Sequence, residues 1–305
     1  MPVQIVEFLA YDFAAVHGRS AGKVPLTHHF GLDSEAKFQR LASGSRRALS
    51  TVGGPVSEMK FVITGTANCK IVSQDMTVKG LGGRNGMVVI EGVSPGTGTK
   101  VELKDGAGKT VDAIDVQVGK FVGIKVRFYN LIDGKGRKAV STIPFAPVPP
   151  MFSEAKLDAL VDRVNDIVNP QCDCLLAVKG KGAMIDLATP NDLGDRVDIN
   201  KFNIFSFGDM DKDAQYHVVF VWSIDGPHTN GITRSNVTLL EASLSEEKRD
   251  LTLAHEFVHF LSGGGVVTIG DHDERQSDLM FKTAPHGINM RKLRLQKILV
   301  GQGVP

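Results

Sequence analysis

SLSEEKRDLTLAHEFVHFLS, residues 243–262, is the stretch on which the reading of the second half of the chain turns. Ser243 and Glu246 have the spacing of a capping box, which predicts that a helix begins there. Ala254, Phe257, Val258 and Leu261 then recur at i, i+3, i+4 and i+7, the apolar stripe that seats a helix in a core. His255 and His259 are one helical turn apart, so both imidazoles project from the same side and can meet one ion. Glu256 follows the first of them, where its carboxylate can face a water on that ion. Two neutral imidazoles and a neighbouring carboxylate are what a catalytic zinc requires. With nine histidines in the chain, chance supplies only about 0.01 matches to this five-residue pattern. The bland alternative is a surface helix that happens to carry two histidines.

A catalytic zinc keeps three protein ligands and leaves a fourth position for water. The sequence after the helix, GGGVVTIGDHDERQSDLMF (263–281), offers two candidates. One is His272. The other is Glu274, with Asp278 four residues on as its hydrogen-bonding partner, as in the ExxxD pattern of thermolysin-like enzymes.

The whole tail resembles the metzincin clan of zinc peptidases, and the matrix metalloproteinases in particular. There the HExxH helix is followed by a Gly turn, a third histidine and a methionine turn under the metal. Here Asp271-His272 is followed by six residues and then Leu279-Met280. The resemblance covers roughly residues 150–305. It implies Zn2+ held by His255, His259 and His272, Glu256 as general base, and Met280 as the floor of the site. It also implies an α+β catalytic domain, with a twisted mixed sheet, the active-site helix and a C-terminal helix over about 288–300. The strand NVTLLEA (236–242) corresponds in position to the clan's edge strand, so an extended peptide substrate is expected to pair there. The pattern departs in three places. Ser262 stands where the clan has Gly, and Lys282 stands where some members have Tyr. Seven extra residues separate His259 from His272, an insertion whose loop-closure cost grows only logarithmically with length.

Working outward, SEAKLDALVDRVNDIV (153–168) places Leu157, Leu160, Val161, Val164, Ile167 and Val168 on one stripe, with Ser153 as N-cap and Asn169-Pro170 as the stop. Strands are expected at CLLAV (174–178) and YHVVFVW (216–222). STIPFAPVPP (141–150) reads as a proline-rich linker. From Met59 to Tyr129, short β-rich runs alternate with Gly-rich turns. In TKVELK (99–104), Val101 and Leu103 alternate with charged neighbours, as a half-buried strand should. GVSPGTGTKVELKDGAGKTV (92–111) is similar to bacterial immunoglobulin-like modules. The expected organisation is a segment of unclear structure (1–54) containing a helix-like stretch from Ser34 to Leu49, a β-sandwich (55–140), the linker, and the peptidase domain (151–305).

Composition sets the outer bounds. Hydrophobic residues make up 42% and charged residues 23% of the chain, with a net charge of +1. That balance argues against nucleic acid or an anionic membrane as partner. No apolar run reaches the roughly 18 residues of a membrane span. The N-terminus lacks the pattern of a conventional secretory signal, so the chain is expected to be cytoplasmic as synthesised, or to leave by a leaderless route such as a contractile injection apparatus. Cys69, Cys172 and Cys174 are too few for a disulfide framework. They read as buried thiols, with Cys172 and Cys174 on one face of a strand. The function expected is a zinc metalloendopeptidase acting on protein or peptide. The competing expectation is a non-enzymatic binding protein that works through the β-module, its zinc site structural or degenerate.

Overall fold

Val101 and Leu103 are fully buried while Lys100 before them and Glu102 between them are not, so the alternation in this strand does sort its residues between a core and solvent. The computed structural model describes residues 3–7, 38–79, 84–139, 154–178, 184–198, 210–226, 229–262 and 279. The chain divides into two compact units, one built on Met1–Val122 with Asn169–Asp173, the other on Gly123–Val168 with Cys174–Ile288.

The first unit pairs two four-stranded sheets. Strands β1 (Gln4–Glu7), β3 (Arg46–Val52), β6 (Arg84–Gly92) and β5 (Cys69–Lys79) form one, in the order β1-β3-β6-β5. Strands β2 (Phe38–Ala42), β8 (Thr110–Gly119), β7 (Gly96–Lys104) and β4 (Lys60–Gly65) form the other, in the order β2-β8-β7-β4. Ile5, Leu49, Val88 and Ile90 from one sheet and Leu41, Phe61, Val101, Leu103, Ile114 and Val116 from the other share one core, the arrangement of a β-sandwich. Each such side chain contributes about 1.5–3 kcal/mol when fully buried.

The helix expected across Ser34–Leu49 is overturned, since its described part is the end-to-end pair β2 and β3. Gly44 sits between them at φ 81°, a left-handed conformation that a helix interior does not contain, and Ser45 N–H donates to the Ala42 carbonyl to close the turn. The Asp173 carboxylate accepts from Ala42 N–H and from the buried Arg47 guanidinium, so it satisfies two donors of this unit that have little access to water.

The second unit contains a six-stranded mixed sheet. Its strands are β9 (Val122–Ile132), β10 (Cys174–Val178), β11 (Ile185–Ala188), β12 (Tyr216–Val221), β13 (Gly231–Arg234) and β14 (Val237–Glu241), in the order β10-β9-β12-β14-β13 with β11 also on β9. The pairs β9–β12 and β12–β14 are parallel and β13–β14 is antiparallel. Every residue of β12 is buried, as expected of a central parallel strand covered on both faces. FVGIKVRFY, grouped above with the β-rich stretch, supplies most of β9 and so pairs in this sheet. Helix α1 (Glu154–Cys172) buries the whole stripe from Leu157 to Val168. It runs through Asn169-Pro170 rather than stopping there. A proline this close to the C-terminal end removes a single intrahelical hydrogen bond, and the Asn169 carbonyl accepts from Asp173 N–H at 2.8 Å. Asp173, at φ 53°, then turns the chain directly into β10. Cys172 therefore ends a helix and Cys174 begins a strand, and the expected shared strand face does not exist. Cys69 and Cys174 are buried.

The expected fold class is corrected by this inventory. Among the described residues the chain forms fourteen strands in three sheets and two helices, so it is mostly β, and a metzincin-like α+β domain is not indicated. The α+β expectation came with the metzincin resemblance, which is carried by the histidine helix and by residues after it that, except for Leu279, lie outside the described ones. Short strands such as β1, β11 and β13 are too brief to show a period of their own. The helix expected over 288–300 and the linker 141–150 lie outside the described residues. Among the described residues no helix is long and apolar enough to cross a membrane.

Candidate metal centre

Helix α2 (Glu246–Leu261) carries the histidine pair. Its N-cap is Ser245, without a side-chain capping bond, so the capping box expected from Ser243 does not form. The start is held instead by Arg249, whose backbone N–H donates to the Ser245 carbonyl and whose guanidinium donates to the Leu244 carbonyl. Leu253, Ala254, Phe257 and Val258 are fully buried and fix the helix against its own unit.

With the helix so fixed, His255 and His259 turn their Nε2 atoms toward each other, 3.1 Å apart. Two ligands about 2.0–2.1 Å from one tetrahedral zinc are separated by about 3.3 Å, so the pair stands close to the spacing that a shared ion imposes. His255 Nδ1 lies 2.7 Å from the carbonyl oxygen of the buried Leu279. A carbonyl only accepts, so Nδ1 carries the proton and the lone pair of the neutral ring is left on Nε2, toward His259. The donor set fits a zinc ion as far as two ligands go.

Glu256 points away from solvent and is only 5% exposed. Its Oε2 accepts from Thr233 Oγ1 at 2.6 Å. Thr233 Oγ1 is in turn 2.6 Å from Thr238 Oγ1, which is 2.5 Å from the Tyr216 hydroxyl. The Tyr216 ring packs on Phe257 and Phe260 of α2, with centroids 5.6 and 4.7 Å away. Burial pushes the Glu256 carboxyl up to about 7, and the hydrogen bonds from Thr233 pull against that rise. Gly231 lets β13 come this close. A Cβ there would stand 2.8 Å from Thr252 Cγ2 and 3.0 Å from Glu256 Cγ.

His255 and His259 are thus brought together, while Glu256, next to His255 in sequence, turns its carboxylate to Thr233 on β13. His272, Glu274 and Met280 lie outside the described residues, and among the described residues no group of three or more His, Cys, Asp or Glu side chains could hold a metal. The edge-strand expectation is corrected: NVTLLEA forms β14, which lies inside the sheet, and β13 ends the strand order beside it. Thr233, Thr238, Tyr216 and Gly231 were not singled out by the sequence reading. A signal for two of them was there, because Ser235-Asn236 (Ser235 at φ 53°) is a two-residue hairpin connection and sets Thr233 opposite Thr238.

No family model and no curated protein matches the chain. Among solved structures, it is similar to the titin domains Z1Z2 in complex with telethonin, at 17% identity over 31% of this chain and 53% of that one, with a TM-score of 0.17. It is also similar to the tandem Ig repeats of Dlar, at 14% identity over 32% of this chain and 54% of that one, with a TM-score of 0.18. The chain thus spans about half the length of these structures. At such scores the likeness to immunoglobulin repeats is slight and carries no argument about the site.

Proposed function

We propose that the chain is a zinc-dependent endopeptidase centred on α2. The observation that carries this reading is the convergence of His255 Nε2 and His259 Nε2 to 3.1 Å with Glu256 next to them in sequence. His255 and His259 would hold the ion, with His272 as the proposed third ligand and Glu274 as its alternative. When bound, zinc lowers the pKa of water and polarises a scissile carbonyl. Glu256 acts as general base: with Oε2 engaged by Thr233, Oε1 accepts the proton of the attacking water, and the carboxyl then delivers it to the leaving amine. Met280 is proposed as the floor of the site. An extended peptide is proposed to add to the outer side of β13 by backbone pairing.

Glu256→Ala is expected to retain zinc, measured by metal analysis after gel filtration, and to lose about 10²–10⁴-fold in cleavage of an unfolded protein substrate. Cleavage at the wild-type rate by that variant overturns the mechanism. His272→Ala and Glu274→Ala, compared for zinc content, decide the third ligand.

One observation favours a second reading. The carboxylate of Glu256 is nearly inaccessible, which suits a buried structural group as well as a base. In that reading the chain is a non-enzymatic binding protein that works through the sandwich of its first unit, with the histidine pair structural. Zinc bound by four protein ligands, together with no hydrolysis by the wild type, would select it.

A further inference from the structure

Three hydroxyls, contributed by three strands, stand in line behind Glu256. Tyr216 on β12, Thr238 on β14 and Thr233 on β13 are linked at 2.5 and 2.6 Å, and Thr233 reaches the carboxylate at 2.6 Å. All three residues are at most 2% exposed, so water does not compete for these bonds. A carboxylate is an acceptor only. If each hydroxyl donates toward it, every proton in the line has an acceptor and each bond polarises the next. The single Thr233 hydroxyl proton goes to Oε2 at 2.6 Å, and the Glu256 backbone carbonyl, 3.2 Å from Oγ1, shares it only as the weaker arm of a bifurcated bond. The short arm ties the carboxylate of Glu256 to β13. The far end of the line is fixed as well, because the Tyr216 ring is stacked on Phe260.

We infer that Thr233 is a positioning residue for the proposed reaction, holding the Glu256 carboxylate in one orientation, with Thr238 and Tyr216 holding Thr233. This rests on the peptidase reading above. It assigns to β13 a role inside the site besides the pairing proposed for its outer side.

The test uses the full chain and three substitutions. Thr233→Val keeps the shape and removes the hydroxyl, Thr233→Ser restores it, and Thr238→Val breaks the line one step further back. In the zinc-loaded protein, with an unfolded protein as substrate, Thr233→Val is expected to lower kcat by about a hundredfold, the effect of misplacing a reacting group by about 1 Å. KM and zinc content are expected to stay within about twofold of wild type. Thr238→Val should lose less, and Thr233→Ser should return most of the rate. In the metal-free protein, the infrared carboxyl band that disappears in Glu256→Gln should shift in Thr233→Val and return in Thr233→Ser. An unshifted band, or a Thr233→Val enzyme with wild-type kcat, overturns the inference while the peptidase reading stands. A kcat loss that merely follows the loss of thermal stability across the variants overturns it too. A wild type that binds zinc and cleaves nothing overturns the peptidase reading, and the positioning role falls with it.

Discussion

Gly231 and His217 show how much single positions carry in the second unit. Gly231→Ala would place a methyl 2.8 Å from Thr252 Cγ2 and 3.0 Å from Glu256 Cγ. Something must shift, and the expected cost is about 1–3 kcal/mol by chemical denaturation, with hydrolysis falling further than stability because the displaced neighbour is the proposed base. An Ala variant as stable and as active as the wild type would mean that β13 and α2 have slack here. His217 makes a different prediction. It is 5% exposed, its Nδ1 is 3.1 Å from the Tyr129 hydroxyl, and burial holds its pKa below the usual imidazole value, opposed by the nearby Asp211 charge. On acidification the unfolded chain takes up a proton near pH 6.5 and the folded chain does so only at lower pH. The stability due to neutral His217 is therefore present above about pH 6.5 and is lost as pH falls through the folded value, with a slope of at most about 1.4 kcal/mol per pH unit. Denaturation of wild type beside His217→Gln at pH 7.5, 6 and 5 checks this, and the difference between the two should narrow toward acid.

At the scale of elements, legibility followed length and period. Helix α1 could be read because six apolar residues repeat on one stripe through about three turns, and all six are buried. Helix α2 could be read for the same reason, though its cap lay two residues beyond the expected serine. The stretch Ser34–Leu49 misled because its apolar spacing imitates a helix, while Gly44 at positive φ and the pairing of β3 with β1 and β6 decide otherwise. Strand β13, four residues long, showed no period at all. The histidine pair was legible because its chemistry is local to one helical turn. The hydroxyl line was not, since Tyr216, Thr233, Thr238 and Glu256 come from four elements and meet only through the register of the sheet. Asp173 belongs with these hidden contacts. Asp173→Ala would leave the Arg47 guanidinium buried beside an empty acceptor position, and losing one partner of a buried pair costs about 3–5 kcal/mol. A thermal midpoint within a degree or two of wild type would argue against that pairing.

For the whole molecule, the proposed ion would link site to stability. If zinc binds only the folded chain, free zinc at 100 times its dissociation constant adds about 2.7 kcal/mol. Removing the metal with a chelator should therefore lower the thermal midpoint of the wild type and leave that of a His255→Ala, His259→Ala double variant unmoved. Equal behaviour of the two proteins would sever the histidine pair from any metal. The path of the chain has a further consequence. Asn169–Asp173 is grouped with the first unit, although the residues on both sides of it belong to the second. Joining two finished genes end to end leaves each module in one unbroken run, and this chain has no such run for either unit. No single cut in the polypeptide yields both units intact, so any attempt to prepare the sandwich alone at Val122 leaves Arg47 without its carboxylate.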